Sequence, residues 1–149
     1  MTLHKNYLDG TPVVRSGGSN AAGFPMVTVL ENTYDAIRRP MDAGDELELI
    51  NVPAGTYVMK VFVHVLNGQA DQTLDVGDGA DPNGWVAVAD VSTTGTRAMG
   101  AGEYAAGADP FPLVGKFYSA ADTIDIECPG GKEFTTLKVR VVALCLMMG

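Results

Sequence analysis

Residues 57–66, YVMKVFVHVL, form the clearest β-strand pattern in the sequence. Side chains of a strand point alternately to two faces, so residues two positions apart share a face. One predicted face carries Tyr57, Met59, Val61, Val63 and Val65. The opposite face carries Val58, Lys60, Phe62, His64 and Leu66. We therefore predict a β-strand over residues 57–66.

Similar short segments recur on both sides of this strand, with Gly, Pro, Asp and Asn between them. They are residues 26–30, 46–52, 73–76, 85–91, 116–118, 123–128 and 137–148. Helical periodicity is poor, and at most residues 34–39 could form a helical turn, which Pro40 would stop. Many short strands with frequent turn signals predict an all-β fold. Within that class we expect an antiparallel β-sandwich of the jelly-roll-like type.

The chain has 149 residues, enough for one domain with a substantial core. Residues 1–25 are rich in turn-forming residues and lack a sustained period, so we predict an extended N-terminal arm, either free or lying on a neighbour. Residues 26–149 then form the β-sandwich domain. The segment from Ser92 to Pro112 is a long Gly- and Ala-rich connection, predicted to be a surface loop or a partner contact, with a weak strand at residues 96–98.

Charge composition limits the partners that we expect. Ten Lys and Arg against eighteen Asp and Glu give a formal net charge of −8. Nucleic acid binding needs a basic stripe, so we expect no nucleic acid partner. No segment approaches the roughly 20 apolar residues that span a bilayer. The first ten residues lack the apolar segment of a signal peptide, so we expect synthesis in the cytoplasm and use without signal-dependent export.

Catalytic constellations are absent from the sequence pattern. Neither His4 nor His64 lies in a motif with a nucleophile, and no phosphate-binding glycine motif follows a strand. If the strand ending at Cys128 pairs as a hairpin with the strand that begins near Leu137, Cys145 lies roughly 26 Å away, too far for a disulfide. We therefore predict two buried reduced thiols, no cofactor and no enzymatic activity.

Two weaker ligand hypotheses rest on local composition. The segment DVGDGADPNG is rich in oxygen-bearing side chains that could bind calcium. Such residues also form tight turns, and their spacing does not match that of an EF-hand. They are Asp75, Asp78, Asp81 and Asn83. Aromatic residues that could line a sugar-binding groove are Trp85, Tyr104, Phe111, Phe117 and Tyr118. A core or rim position is the commoner role for such residues, and we predict no metal site.

The C-terminal segment TLKVRVVALCLMMG is the most informative about binding. One predicted face is apolar throughout, from Leu137 to Met147. The other face begins with Lys138 and Arg140 and then turns apolar. Covering three such side chains stabilises by several kcal/mol at about 25 cal/mol per Å². The candidate partner-binding residues are Val142, Leu144, Leu146, Met147 and Met148.

Four stretches give the sequence a resemblance to small virion proteins of tailed phages, of the capsid decoration (cement) type. They are GDELELINVPAGTYVMKVFVHV, TLDVGDGADPNGW, GKFYSAADTIDI and LKVRVVALCL, which together cover most of residues 44–146. The resemblance implies a homo-oligomer, often a trimer, that sits on the capsid surface and bridges major capsid protein subunits in the virion. It transfers no catalytic residues.

The leading hypothesis is therefore a phage structural protein that decorates and stabilises a capsid as a homotrimer. The alternative is a head-fibre or tail-associated module that binds a receptor or glycan. A small hydrolase is the third hypothesis, and the missing catalytic constellation disfavours it.

Overall fold

The computed structural model describes residues 26–100, 115–129 and 131–147, together with two short strands at residues 3–4 and 15–16. In chain order the strands are β1 (Leu3–His4), β2 (Arg15–Ser16), β3 (Met26–Asp35), β4 (Glu46–Val52), β5 (Thr56–Asn67), β6 (Thr73–Asp78), β7 (Asp81–Asp90), β8 (Arg97–Gly100), β9 (Lys116–Tyr118), β10 (Asp122–Glu127) and β11 (Lys138–Met147). Within these described ranges there is no α-helix. No helix there is therefore long and apolar enough to cross a bilayer.

The strands form two sheets that pack as a sandwich, which confirms the predicted fold class. Sheet A has the order β1-β4-β10-β6-β7, and sheet B has the order β2-β3-β11-β5-β8. The short β9 also pairs with β5, beyond the end of β8. All pairs are antiparallel except β1 with β4. The chain passes repeatedly from one sheet to the other, which places both apolar inner faces against each other.

The two described pieces of the predicted arm lie on sheet edges. Strand β1 pairs with β4 at the edge of sheet A, and β2 pairs with β3 at the edge of sheet B. The rest of residues 1–25 lies outside the described residues. The boundary between arm and domain stays a prediction.

Alternation of apolar residues positions most of the core. The largest fully buried side chains include Trp85, Tyr34 and Phe134. The Tyr34 and Phe134 rings meet at a centroid distance of 6.1 Å, and the Tyr34 hydroxyl donates to the Arg39 carbonyl at 2.7 Å. Strand β3 runs through Asp35, so the turn predicted at residues 34–39 begins later, and in it the Arg39 backbone N–H donates to the Asp35 carbonyl at 3.1 Å.

The assumed hairpin between β10 and β11 is wrong. Strand β10 pairs with β4 and β6 in sheet A, whereas β11 pairs with β3 and β5 in sheet B. Each strand satisfies its backbone in its own sheet, and the loop between them crosses the sandwich. Cys128 and Cys145 are both buried free thiols, and burial raises the pKa of Cys145 to about 12.

Bulges change the predicted faces of two strands. Opposite Leu144 and Cys145 the register of β5 shifts, so that Val58 lies in the core and Tyr57 points outward. A second bulge, between β4 and β10, lets both Leu49 and Ile50 be fully buried. An extra residue reverses the alternation beyond it, and hydrophobic periodicity alone does not reveal it.

A buried polar network connects the two sheets. The Tyr118 hydroxyl lies 2.8 Å from Asp78 Oδ2 and accepts from the Trp85 indole N–H at 3.2 Å. The Lys116 ammonium binds the same Asp78 oxygen at 2.6 Å and lies 4.9 Å from the Tyr118 ring centroid. Since β6 and β7 belong to sheet A and β9 to sheet B, these contacts hold the layers together at this end.

We expect Tyr118→Phe to lower the free energy of unfolding by roughly 1–3 kcal/mol, because it removes the hydroxyl between two buried polar groups. Urea unfolding at fixed protein concentration measures the change. Phe117→Leu, at the exposed neighbouring position, is the control and should cost less than about 1 kcal/mol. Equal stability of Tyr118→Phe and the unsubstituted protein would contradict this role.

Candidate interaction surface

The outer face of sheet B brings the outward side chains of β11 together with those of its neighbours. In register, Leu144 lies between Val29 and Lys60, and Leu146 lies between Val27 and Tyr57. Side chains directly opposite on one face of a sheet are in contact range. The predicted partner-binding residues therefore belong to a surface that several strands share.

Apolar residues cover one half of this face, which we call the apolar half. Val142 lies beside Phe62, which in turn lies beside Met99, and Tyr57 lies beside Phe117. The half consists of Val27, Val29, Tyr57, Phe62, Met99, Phe117, Val142, Leu144 and Leu146. Val27, Met99 and Phe117 are 53%, 57% and 51% exposed. Lys60 beside Leu144 and Glu31 beside Val142 are charged residues in the same rows, at the border of this apolar group. Exposed apolar groups of this kind mark interaction sites in soluble proteins.

The predicted residues do not all lie on that surface. Val142, Leu144 and Leu146 point outward and are half-buried. Met147 is on the opposite face, where its sulfur lies 3.4 Å from the Thr56 hydroxyl. Met148 lies outside the described residues. Sequence reasoning missed the residues of β3, β8 and β9 in the apolar half because strand order decides which segments are neighbours.

Strand β11 is an interior strand of sheet B. It pairs along residues 138–147 with β3 on one side and with β5 on the other. Val139, Val141, Ala143 and Cys145 fill the core between the sheets. The backbone thus fixes the outward residues in place, and they present a rigid surface.

Cationic residues occupy the other half of the face, which we call the basic half. Arg140 lies between Thr33 and His64, and His64 lies beside Arg97. His64 thus has two cationic neighbours across the strands, and the described contacts show no nucleophile beside it. Arg38 and Lys138 complete the basic half, around a depression of about 380 Å³.

The residues of the calcium hypothesis have structural roles. The Asp78 carboxylate is fully buried and binds Lys116 and Tyr118, and it also accepts the backbone N–H groups of Ala80 and Asp81. Asp75 accepts the Val88 backbone N–H at 2.6 Å. This bond holds a bulge in β7, where Val88 has a left-handed φ of 52°. Among the described residues no group of His, Cys, Asp or Glu is arranged to bind a metal.

The aromatic residues of the sugar-binding hypothesis do not form one groove. Trp85 is fully buried and Tyr118 is 3% exposed, so both belong to the core. Phe117 lies in the apolar half. Tyr104 and Phe111 lie outside the described residues. Of the Ser92–Pro112 segment, residues 92–100 are described and contain β8, and the rest lies outside the described residues.

Sheet A carries a row of carboxylates on its outer side. Glu127 pairs in register with Glu46 on one side and with Asp75 on the other, and Asp125 pairs with Glu48. Asp125 is 3% exposed, and its Oδ1 has no hydrogen-bond partner. Burial raises the pKa of Asp125 to about 7. A hydrogen bond with Thr123 lowers this pKa, whereas Glu46 and Glu48 raise it further. Burial, Asp75 and Glu46 also raise the pKa of Glu127.

We expect the protein to become more stable as the pH falls from about 7 to about 4. In that range the unfolded chain ionises Asp125, whose ordinary pKa is 3.8, while the folded protein keeps it protonated. Asp125→Asn should stabilise the protein at pH 7.5, on the order of 2 kcal/mol, and flatten the pH dependence. Urea unfolding between pH 4 and pH 8 tests this, with exposed Asp71→Asn as the control. An unchanged pH slope in Asp125→Asn would contradict the assignment.

Chains of three phage capsid structures share this fold. A chain of the capsid of Ralstonia phage GP4 has 19% identity and a TM-score of 0.59 over 96% of this chain and 93% of that one. A chain of the cyanophage Pam1 capsid asymmetric unit has 17% identity and a TM-score of 0.55 over 89% and 91%. A chain of the acid-stable capsid of Helicobacter pylori bacteriophage KHP30 has 11% identity and a TM-score of 0.55 over 92% and 95%.

No protein-family model and no curated protein sequence matches the chain. Identities of 11–19% combined with these coverages show a common fold along nearly the whole length of each chain. The protein has the two-sheet β-sandwich found in chains of these phage capsids.

Proposed function

We propose that the protein is a structural component of a phage virion, of the decoration or cement type, which stabilises a capsid by bridging major capsid protein subunits. The observation that carries this proposal is the apolar half of sheet B's outer face. A rigid, exposed apolar surface on a small β-sandwich suits lasting attachment to other subunits. The capsid origin of the structures with the same fold supports the choice of partner.

The size of the surface supports a specific interface. Ten residues of β11 extend roughly 33 Å, and four strands side by side span roughly 19 Å. The face therefore measures on the order of 600 Å², close to the roughly 800 Å² that each partner contributes to a standard interface. This face, together with the arm strands at the sheet edges, offers enough area for a homo-oligomer, which we propose to be a trimer.

The receptor- or glycan-binding alternative has less support. It relied on a groove of aromatic side chains, and Trp85 and Tyr118 are buried in the core. We therefore retain decoration of the capsid, and location in the virion, as the proposed function.

Replacing Leu144 and Leu146 with Thr should weaken self-association at least tenfold. Thr has the β-branched shape that strands favour, while the apolar area available for contact falls. Truncation after Val142 is unsuitable because β11 is central to sheet B. Sedimentation velocity over a concentration series measures the effect.

Val88→Thr is the matched control, since Val88 is 66% exposed on the edge strand of sheet A. It should leave the association unchanged. A protein that sediments as a monomer at about 1 mM would contradict the oligomer. Immunogold labelling of virus particles, purified from cells that produce this chain, tests the location, and unlabelled particles would overturn the proposed function.

A further inference from the structure

The basic half of sheet B's outer face has a charge opposite to that of the protein. Four of the chain's ten Lys and Arg residues lie in the basic half or at its rim: Arg97, Lys138, Arg140 and Arg38. A fifth, Lys60, lies on the same face beside Leu144 of the apolar half. The described carboxylates on the same face are Glu31 and Asp35. In a chain with a net charge of −8, this is a local concentration of positive charge.

Three of these cations surround one depression. Arg38, Lys138 and Arg140 line a space of about 380 Å³ together with Asn32, Thr33, Asp35 and Leu66. The ion pairs Lys116–Asp78 and Lys132–Asp71 lie elsewhere and involve none of the cations of the depression. Asp35 lies opposite Lys138 in register, and its Oδ1 accepts the Ile37 backbone N–H at 3.1 Å, so one carboxylate stands at the edge of the depression.

Cations placed side by side repel each other, and folding alone gains nothing from that arrangement. Arg38, Lys138 and Arg140 line one depression, and Arg97 lies on the other side of His64 from Arg140. Carboxylates from a partner would relieve this repulsion, and Arg and Lys form strong charge-assisted hydrogen bonds with them.

The surroundings favour a protein partner over nucleic acid. The basic half continues directly into the apolar half, since Arg140 and Val142 are successive outward residues of β11. A phosphate backbone offers no apolar surface to match it, and the overall charge of −8 repels DNA. An apolar protein surface with carboxylates at one end complements both halves.

We propose that the basic half is a carboxylate-recognition site, which docks an acidic segment of a neighbouring protein subunit while the apolar half packs against the apolar surface beside that segment. This inference deepens the proposed function and rests on it. The charged contacts set the orientation and specificity of docking, because electrostatic complementarity suppresses wrong pairings.

Fluorescence anisotropy with labelled peptides tests the site. The first probe is the peptide Leu-Thr-Val-Thr-Leu-Glu-Glu-Glu, and the second has Gln in place of each Glu. A 20-base-pair DNA duplex is the third probe. At about 50 mM salt the Glu peptide should bind at least tenfold more tightly than the Gln peptide, and the advantage should fall to threefold or less at about 500 mM because salt screens exposed charges.

Variants assign the effect to the depression. The double substitution Lys138→Gln with Arg140→Gln should abolish the preference for the Glu peptide. Lys132→Gln is the control for the single substitution Arg38→Gln, since it also removes one positive charge, at an exposed site that pairs with Asp71. Arg38→Gln, in a turn outside the sheet, should weaken the preference at least threefold without disturbing strand pairing.

Equal binding of the Glu and Gln peptides, or no binding of either at millimolar concentration, would overturn the carboxylate site. Tighter binding of the DNA duplex than of the Glu peptide would overturn it in favour of nucleic acid. The sedimentation and labelling experiments above are independent of these peptides. They would still report assembly and location if the carboxylate site were refuted.

Discussion

The position of β11 in the middle of sheet B is the constraint on which the rest of the surface depends. Its backbone is paired with β3 and β5 along residues 138–147. Because strand side chains alternate, filling the core with Val139, Val141, Ala143 and Cys145 forces the intervening residues outward. The protein therefore cannot bury Val142, Leu144 and Leu146 by a local rearrangement. Only another molecule or another segment can cover them further.

The two outer faces of the sandwich differ in chemistry. Sheet B presents apolar and cationic side chains, whereas sheet A carries Glu46, Glu48, Asp75, Asp125 and Glu127 in adjacent register positions. Burial of several of these carboxylates raises the pKa of Asp125 and Glu127, which makes sheet A responsive to proton concentration. Sheet B's face, by contrast, combines a fixed apolar area with residues that carry permanent charge. A sandwich of this kind has two sides that can meet different surroundings.

Local irregularities in the strands set the direction of individual side chains. The bulge in β5 turns Tyr57 toward the apolar half, and the bulge in β7 leaves Val88 in a left-handed conformation held by Asp75. The network of Trp85, Tyr118, Asp78 and Lys116 ties sheet A to β9. These features depend on contacts between residues distant in sequence. Local sequence alone suggested other roles for two of these residues. Asp78 was a candidate calcium ligand, and Trp85 was a candidate sugar-binding residue.

The sequence by itself determined the fold class, most of the strand segments and the apolar character of the last strand, because period-two alternation is a local property. It also determined the separation of Lys138 and Arg140 from the apolar residues that follow. Only the tertiary structure decided that β10 and β11 lie in opposite sheets, that Tyr57 points outward, and that residues of β3, β8 and β9 share the outer face with Val142 and Leu146. Strand order and bulges arise from packing between segments far apart in the chain, and hydrophobic periodicity within one segment carries no information about them.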